Sequence, residues 1–200
     1  MAPDCSECKA LHLLLDYGID LSKHSNDSKT ALIIVCSLFQ DESLALSILE
    51  LPGIDYNHVD IINNTALIYA CGNYLEKVSL RLLEFDDINY NHKNNLGYTA
   101  LNLACKYDLE TVALKLLEKE YIDVNAINIH SNTALIYSCY NDSETVALRL
   151  LEFDDINYNH KNKVGDTALI VACETNKKNV ALKLSEKDDI SYNDISEEYY

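Results

Sequence analysis

Thiols are the most versatile reactive groups in this chain of 200 residues, which contains seven cysteines. Cys5 and Cys8 form a Cys-x-x-Cys pair, and such a pair can supply half of a zinc site or act in redox chemistry. No second Cys-x-x-Cys and no His-x-x-x-His follows to complete a zinc site. We therefore predict neither a metal site nor a redox site at this pair.

Histidines and carboxylates are the other residue types that could hold a metal ion. His58, His92 and His160 occupy one position of the repeat described below, and the repeat spacing separates them too far to share an ion. We predict that they are surface residues of hairpins. Acidic runs at 84–87, 152–155 and 186–189 could bind calcium or a basic partner, but none has the ligand spacing of a calcium loop. We predict that these runs are solvated loop edges.

Motifs of enzymatic chemistry are absent from the sequence. It has no Gly-x-Ser-x-Gly, His-Glu-x-x-His, Walker or dinucleotide-binding motif. Its five glycines do not cluster, so no glycine-rich loop is available to cradle a phosphate. We predict that the protein is not an enzyme and binds no cofactor.

The charge of the chain disfavours two classes of partner. Lys and Arg total 16 against 32 Asp and Glu, which gives a formal net charge of −16. Nucleic-acid binding depends on cations that displace counterions, and anionic membranes attract basic segments, so we expect neither partner. No stretch approaches 18 apolar residues, and the acidic N-terminus does not resemble a signal peptide. We expect a soluble intracellular protein, cytoplasmic or nuclear.

A repeat organises the chain. The word Thr-Ala-Leu starts at five positions, separated by 35, 34, 34 and 34 residues: Thr30, Thr65, Thr99, Thr133 and Thr167. A cysteine follows each Thr by six residues, and an Asn precedes four of them by eight. Fifteen residues, Leu80–Asn94, recur unchanged at Leu148–Asn162. We favour duplication of a two-repeat block over the alternative that the two copies face two equal features of a partner.

The spacing of apolar residues predicts two short helices in each repeat. After Thr99, apolar residues fall on one helical stripe, and Leu109, Val112, Ala113, Leu116 and Leu117 form a second stripe at helical spacing. A polar turn separates the stripes, and Asp108 and Asp142 are placed to cap second helices. Helices packed about 8–10 Å apart keep neighbouring cysteines of the repeat from bridging. We predict that these five cysteines are buried free thiols, which suit a reducing compartment.

The repeated words resemble the ankyrin family. The family's Thr-Pro-Leu-His-x-Ala motif is matched by TALIIVC, TALIYAC, TALNLAC, TALIYSC and TALIVAC, and IDVNA at 122–126 resembles the family's entry into a hairpin. Ala replaces the family's Pro, and the hairpin Gly persists only as Gly97 and Gly165, with Ser28, Asn63 and Ser131 elsewhere. The resemblance covers about residues 8 to 192. It implies an all-α ankyrin-repeat solenoid of helix-turn-helix units with β-hairpin fingers.

The repeats predict a division of the chain. We assign an N-terminal half repeat to 1–21, repeats to 22–56, 57–90, 91–124, 125–158 and 159–192, and an acidic tail to 193–200. Ser185 replaces a Leu of the earlier copies, which is typical of a terminal repeat that has no neighbour on one side. The chain is rich in Asn, Ile, Tyr and Lys, and this composition is similar to that of ankyrin proteins from large DNA viruses of amoebae and from AT-rich protists. That resemblance implies a role in host interaction, in the host cytoplasm if the protein is viral.

The resemblance also implies where a partner binds. Ankyrin proteins usually bind proteins on a concave face made of fingers and first helices. By register, the candidate binding residues here are Leu38, Ile61, Ile62, Leu96, Tyr98, Tyr107, Ile129, His130, Tyr140 and Val164. The alternative for the Ile and Leu residues is packing between neighbouring fingers. We expect a monomeric protein-binding scaffold; the alternatives are a substrate-targeting adaptor, as in a ubiquitin ligase, and a structural module of a larger assembly.

Overall fold

The computed structural model describes residues 24–190 of the chain. The predicted half repeat at 1–21, the Cys5–Cys8 pair and the tail at 193–200 therefore lie outside the described residues. Within residues 24–190 the protein contains ten α-helices, one π-helical turn and no β-strand. The chain divides into two units, Met1–Asn95 and Leu96–Tyr200. The all-α fold predicted from the repeats is confirmed.

Helix pairs make up both units. Unit 1 contains α1 (Ala31–Ile34), a π-helical turn (Val35–Phe39), α2 (Glu42–Leu49), α3 (Ala66–Gly72) and α4 (Glu76–Leu82). Unit 2 contains α5 (Ala100–Lys106), α6 (Glu110–Leu117), α7 (Ala134–Tyr140), α8 (Glu144–Leu150), α9 (Ala168–Glu174) and α10 (Lys178–Ser185). Helices of seven or eight residues are marginal on their own, so their stability comes from packing one pair on the next within each unit.

The repeated Thr begins the first helix of every pair. Its hydroxyl accepts a hydrogen bond from the backbone N–H three residues later, at 3.1–3.3 Å in all five repeats. In α5 the Asn102 side chain also accepts from the Thr99 N–H, which completes a capping box. The Ala and Leu that follow this Thr are buried in every repeat. The cap therefore fixes the start of each first helix at the point where its apolar side enters the core.

The second helices bury the predicted stripe but begin differently from the prediction. Val112, Ala113, Leu116 and Leu117 are all buried. The prediction that Asp108 and Asp142 cap α6 and α8 is wrong, because Leu109 and Ser143 occupy the N-cap positions and neither makes a side-chain cap bond.

The failed caps have a backbone cause. Asp108 has a φ of 56°, so it forms the left-handed turn between the helices and lies one residue too early to reach the free N–H groups. Its carboxylate instead accepts a hydrogen bond from the Ser143 hydroxyl. Asp142 forms an ion pair with Lys177 at 2.7 Å. Only Asp41, which directly precedes α2, caps in the predicted way, accepting from the Leu44 N–H at 2.9 Å.

The fingers between helix pairs are tight turns without strand pairing. A buried Asp or Asn braces three of the five turns: the Asn128 side-chain oxygen accepts from the N–H groups of His130 at 2.8 Å and Asn132 at 3.1 Å. Asp60 and Asn162 make the equivalent pairs of bonds. Backbone bonds also link consecutive fingers, such as the one from the Ile129 N–H to the Leu96 carbonyl at 2.9 Å. These three fingers are therefore fixed both by a side chain of their own and by backbone bonds to a neighbouring finger.

One residue in each finger adopts a left-handed backbone. The φ angles are 59° at Ser28, 63° at Asn63, 74° at Gly97, 57° at Ser131 and 98° at Gly165. The positions where Ser or Asn replaces the family's Gly thus keep the conformation that favours Gly. At Gly97 a Cβ would also lie 2.8 Å from the Ile127 carbonyl oxygen and 3.0 Å from the Asn128 Cα, whereas nothing lies within 4 Å at Gly165.

We expect Gly97→Ala to destabilise the protein more than Gly165→Ala. Both substitutions impose left-handed strain of about 1–2 kcal/mol, but only the Ala at 97 also collides with backbone atoms of the next finger. Urea unfolding followed by circular dichroism measures the difference, with Ser131→Gly as a third variant that should be at least as stable as the parent. Equal losses at positions 97 and 165 would contradict the close contact at Gly97.

Candidate protein-binding surface

Exposed apolar side chains cover the fingers of both units. In unit 2, Leu96 is 50% exposed, Ile129 42% and Val164 80%. In unit 1, Ile61 and Ile62 of a finger are 61% and 48% exposed, and Leu38, which lies in the π-helical turn, is 66% exposed. These exposures argue against the alternative that the Ile and Leu residues pack between neighbouring fingers. We call the surface formed by the following residues the finger surface of unit 2: Leu96, Lys106, Tyr107, Ile129, His130, Tyr140 and Val164.

The structure corrects the sequence-based prediction for Tyr98. We predicted an exposed tyrosine, but only 7% of Tyr98 is exposed. Its ring stacks on Tyr137 with centroids 6.5 Å apart, and the two hydroxyls lie 3.3 Å from each other. Asn128 donates to the Tyr137 hydroxyl at 2.6 Å, so the pair belongs to a buried polar network beneath the fingers. Tyr98 supports the surface from below and does not present its face to solvent.

The other predicted polar and aromatic residues lie at or near the surface. His130 is exposed, Tyr107 is half-buried and Tyr140 is 42% exposed. The Tyr140 hydroxyl donates to Asp166 at 2.6 Å, and partial burial together with that carboxylate raises the pKa of Tyr140 to about 12. The hydrogen bond to Asp166 therefore orients the phenol, which stays protonated well above neutral pH.

Lys106 is a surface residue that the apolar pattern did not single out. Its ammonium lies 5.0 Å from the centre of the Tyr98 ring and 5.1 Å from that of Tyr107. It also donates to the Tyr98 hydroxyl at 3.4 Å. A cation held over two aromatic rings is stabilised by their quadrupoles. The finger surface of unit 2 thus combines apolar fingertips with one positioned positive charge.

The repeated histidines act separately, within the fingers. His58 donates from Nε2 to the Ser28 carbonyl at 2.7 Å, His92 to the Asn63 carbonyl at 2.9 Å, and His160 to the Ser131 carbonyl at 2.9 Å. Each accepting residue is the left-handed residue of the preceding finger. Where that residue is Gly97, the next repeat has Ala126 in place of His. We infer that each His holds a finger whose turn lacks glycine.

The acidic runs are exposed, as expected, and they tie loops together. Asp87 accepts from the Tyr56 hydroxyl, and its carbonyl accepts from the Asn57 side chain at 2.9 Å. In the same loop Arg81 pairs with Glu84 at 2.8 Å and lies 5.0 Å from the Phe85 ring centre. No group of three or more potential metal ligands occurs within residues 24–190. A structural role accounts for these carboxylates without a bound ion.

The cysteines of the repeat are free, and four of the five are buried: Cys36, Cys71, Cys105 and Cys139. Burial raises the pKa of Cys36, Cys71 and Cys139 from about 9 to about 12. The prediction of burial is wrong for Cys173, which is exposed, because no further helix pair follows α9 and α10 within the described residues to cover it. The buried thiols behave as small apolar groups.

Capped helix pairs that recur every 34 residues and are joined by fingers define a helical-repeat protein. The chain belongs to the ankyrin repeat family: the family model described as "Ankyrin repeats (3 copies)" matches residues 34–128 and 123–195. The family is one of protein–protein interaction modules. None of the helices within residues 24–190 has the length and apolar character needed to cross a bilayer.

Solved structures show the same fold. The ankyrin repeat protein EF0377 superimposes with a TM-score of 0.70 and 21% identity, over 91% of this chain and 92% of that chain. An ankyrin repeat domain from Acinetobacter baumannii AYE gives 0.69 and 19%, over 89% and 92%. A chain of the complex between a predatory endopeptidase from Bdellovibrio bacteriovorus and its immunity protein Bd3460 gives 0.66 and 21%, over 94% and 100%. No curated protein matches the sequence significantly.

We expect an alkylating reagent to distinguish the cysteines in the folded protein. A pKa near 12 lowers the thiolate fraction of the buried thiols about a thousandfold relative to an ordinary thiol. At pH 8, iodoacetamide should modify Cys173 rapidly and leave Cys36, Cys71 and Cys139 intact. Peptide mass spectrometry reads each site, and the same protein in urea serves as the control in which all sites react. Rapid modification of Cys71 in the native state would contradict the burial.

Proposed function

We propose that this protein is a non-catalytic scaffold that binds a partner protein through its fingers and first helices. The observation that carries the proposal is the row of exposed apolar fingertips in unit 2: Leu96, Ile129 and Val164. These three residues lie at the tips of three successive fingers: Leu96 and Val164 precede the repeated Thr by three residues, and Ile129 precedes it by four. A second apolar pair, Ile61 and Ile62, lies on a finger of unit 1.

Physical chemistry supports a binding role for this surface. Neighbouring apolar side chains exposed together usually mark an interaction site in a soluble protein. The fingers that carry them are held by buried side chains such as Asn128, and by backbone bonds between fingers, so little ordering is required on binding. Tyr140, which is rigidly hydrogen-bonded and partly exposed, adds an aromatic side chain of the kind enriched at hot spots.

We further propose that this protein is a host-interaction factor and that it meets its partner inside cells. The free thiols at Cys36, Cys71, Cys105 and Cys139 support a reducing compartment. The richness in Asn, Ile, Tyr and Lys supports an organism with an AT-rich genome. An amoebal lysate is therefore the first source in which to search for the partner.

Affinity capture tests the binding surface. The full chain would be immobilised beside the triple variant Leu96→Ser, Ile129→Ser and Val164→Ser, and retained proteins would be quantified by mass spectrometry. We expect partners of the parent to fall at least tenfold with the variant, because each apolar contact removed contributes on the order of 1 kcal/mol to binding.

Leu182→Ser provides the matched control, because Leu182 is 63% exposed on the second helix of the last pair, away from the fingers. Circular dichroism must show that all variants keep the helical content of the parent. Retention of the same partners by the triple variant, or equal loss with Leu182→Ser, would contradict binding through the fingers.

A further inference from the structure

The charge of Lys106 is held at the finger surface without a carboxylate. Its ammonium contacts the Tyr98 and Tyr107 rings and the Tyr98 hydroxyl, and it forms no ion pair with any residue in the described part of the chain. Unit 1 repeats this arrangement, since Lys29 lies 5.1 Å from the Tyr69 ring centre and donates to Ser37 at 3.2 Å. Lys29, too, has no ion pair within residues 24–190.

Cations of the second helices behave differently. In unit 2 four cations on or next to these helices pair with nearby carboxylates: Lys115 with Glu118 at 2.7 Å, Arg149 with Glu152 at 2.5 Å, Lys177 with Asp142 at 2.7 Å and Lys183 with Glu186 at 3.2 Å. The chain has twice as many acidic as basic residues, so an unpaired lysine is unexpected in it. Lys106 and Lys29 differ from these cations, because each rests on a tyrosine ring beside the fingers and has no ion pair within the described residues.

Within residues 96–159, all acidic residues lie in the second helices and the loops around them, and Lys106 lies outside those segments. The second helices and loops at 108–125 and 142–159 contain ten Asp and Glu against three Lys and Arg. By contrast, the finger and first-helix residues at 96–107 and 126–141 contain Lys106 and no Asp or Glu. The two segments around Lys106 thus carry no negative side chain in a protein of net charge −16, whereas the third finger of unit 2 and the first helix that follows it, at 160–175, contain two lysines and two acidic residues.

We propose that Lys106 receives a carboxylate from the partner, and that the partner segment places this acidic residue between apolar side chains. The apolar side chains would cover Leu96, on the finger that also carries Tyr98, and Ile129, on the next finger, and a backbone hydrogen bond joins the two fingers. The proposal rests on the protein-binding function above and names the chemistry of the partner. The net charge of −16 disfavours an acidic residue over most of the remaining surface, so Lys106 also helps to fix the register of the segment.

The tyrosines prepare Lys106 for this contact. A lysine side chain loses considerable rotamer freedom on binding, and the Tyr98 and Tyr107 rings already restrict it in the free protein. Lys106 is half-buried, so its attraction to a carboxylate is screened less than that of a fully exposed pair. Charge complementarity therefore favours an acidic–apolar segment over a basic one at this surface.

Selection from a random 12-residue peptide library displayed on phage tests the proposal with the full chain as bait. We expect enriched peptides to place Asp or Glu beside Leu, Ile, Val or Phe. The enriched peptides would then be synthesised, and their dissociation constants measured by fluorescence anisotropy. Lys106→Met keeps the aliphatic stem and should weaken binding about five- to tenfold, with a smaller dependence of affinity on salt.

Matched variants separate charge from structure. Lys106→Arg should retain the affinity, and Lys115→Met, which removes a charge from α6, should leave it unchanged. A parallel selection on Lys106→Glu should enrich Lys or Arg at the position where the parent enriches Asp or Glu. Such an exchange of charge cannot arise from loss of folding.

Three results would overturn the proposal. Peptides without an acidic preference, or bound equally by Lys106→Met, but lost with Leu96→Ser and Ile129→Ser, would refute the role of Lys106 and leave the finger surface standing. Enriched basic peptides that ignore both sets of substitutions would place binding on the acidic loops and refute the finger surface too. Selection of no peptide above background would count against both.

Discussion

Side-chain amides that bond to the backbone of the neighbouring repeat are the interaction on which each unit depends. Asn57 donates to the Asp87 carbonyl at 2.9 Å and accepts from the Asn89 N–H at 2.8 Å. Asn125 makes the same pair of bonds to Asp155 and Asn157, both at 2.8 Å. Because a helix pair cannot bury its own apolar face, every repeat needs a fixed position against the next. The amides supply that position by satisfying loop backbone groups that would otherwise be left without partners.

A second set of bonds closes the ends of the first helices. Asn141 donates to the carbonyls of Cys105 at 2.7 Å and Lys106 at 2.8 Å, and the Thr175 hydroxyl donates to the Cys139 carbonyl at 2.9 Å. In unit 1 the Asn73 side chain donates to the Cys36 carbonyl at 2.9 Å. Terminal carbonyls of a helix have no partner within the helix, so the following repeat completes them. The same hydrogen bonds therefore end the first helices and hold consecutive repeats together. This explains why helices of only seven residues are stable in the folded protein.

The sequence was sufficient to predict the helices and the buried stripes, which are determined within one repeat. Helical spacing located the buried stripe of α6, and the recurring Thr located the start of each first helix. Features that depend on contacts with another repeat were not predicted correctly from the sequence. Tyr98 is buried by Tyr137, which lies 39 residues further along, and Cys173 is exposed because the described residues provide no following helix pair. The cap at Asp108 failed for a local reason, since its left-handed backbone was not readable from the residue type.

The duplicated segment can now be interpreted through its contacts. Arg81 and Arg149 make matching ion pairs with Glu84 and Glu152, and each lies against the following Phe ring. His92 and His160 hold the preceding fingers in the same way. The residues that follow the two copies differ, since one finger reads Asn-Leu-Gly-Tyr and the other Lys-Val-Gly-Asp. Identity thus ends where contacts between repeats give way to exposed fingertips, which is the pattern expected if the copies share a structural role and the fingers were free to adapt to a partner.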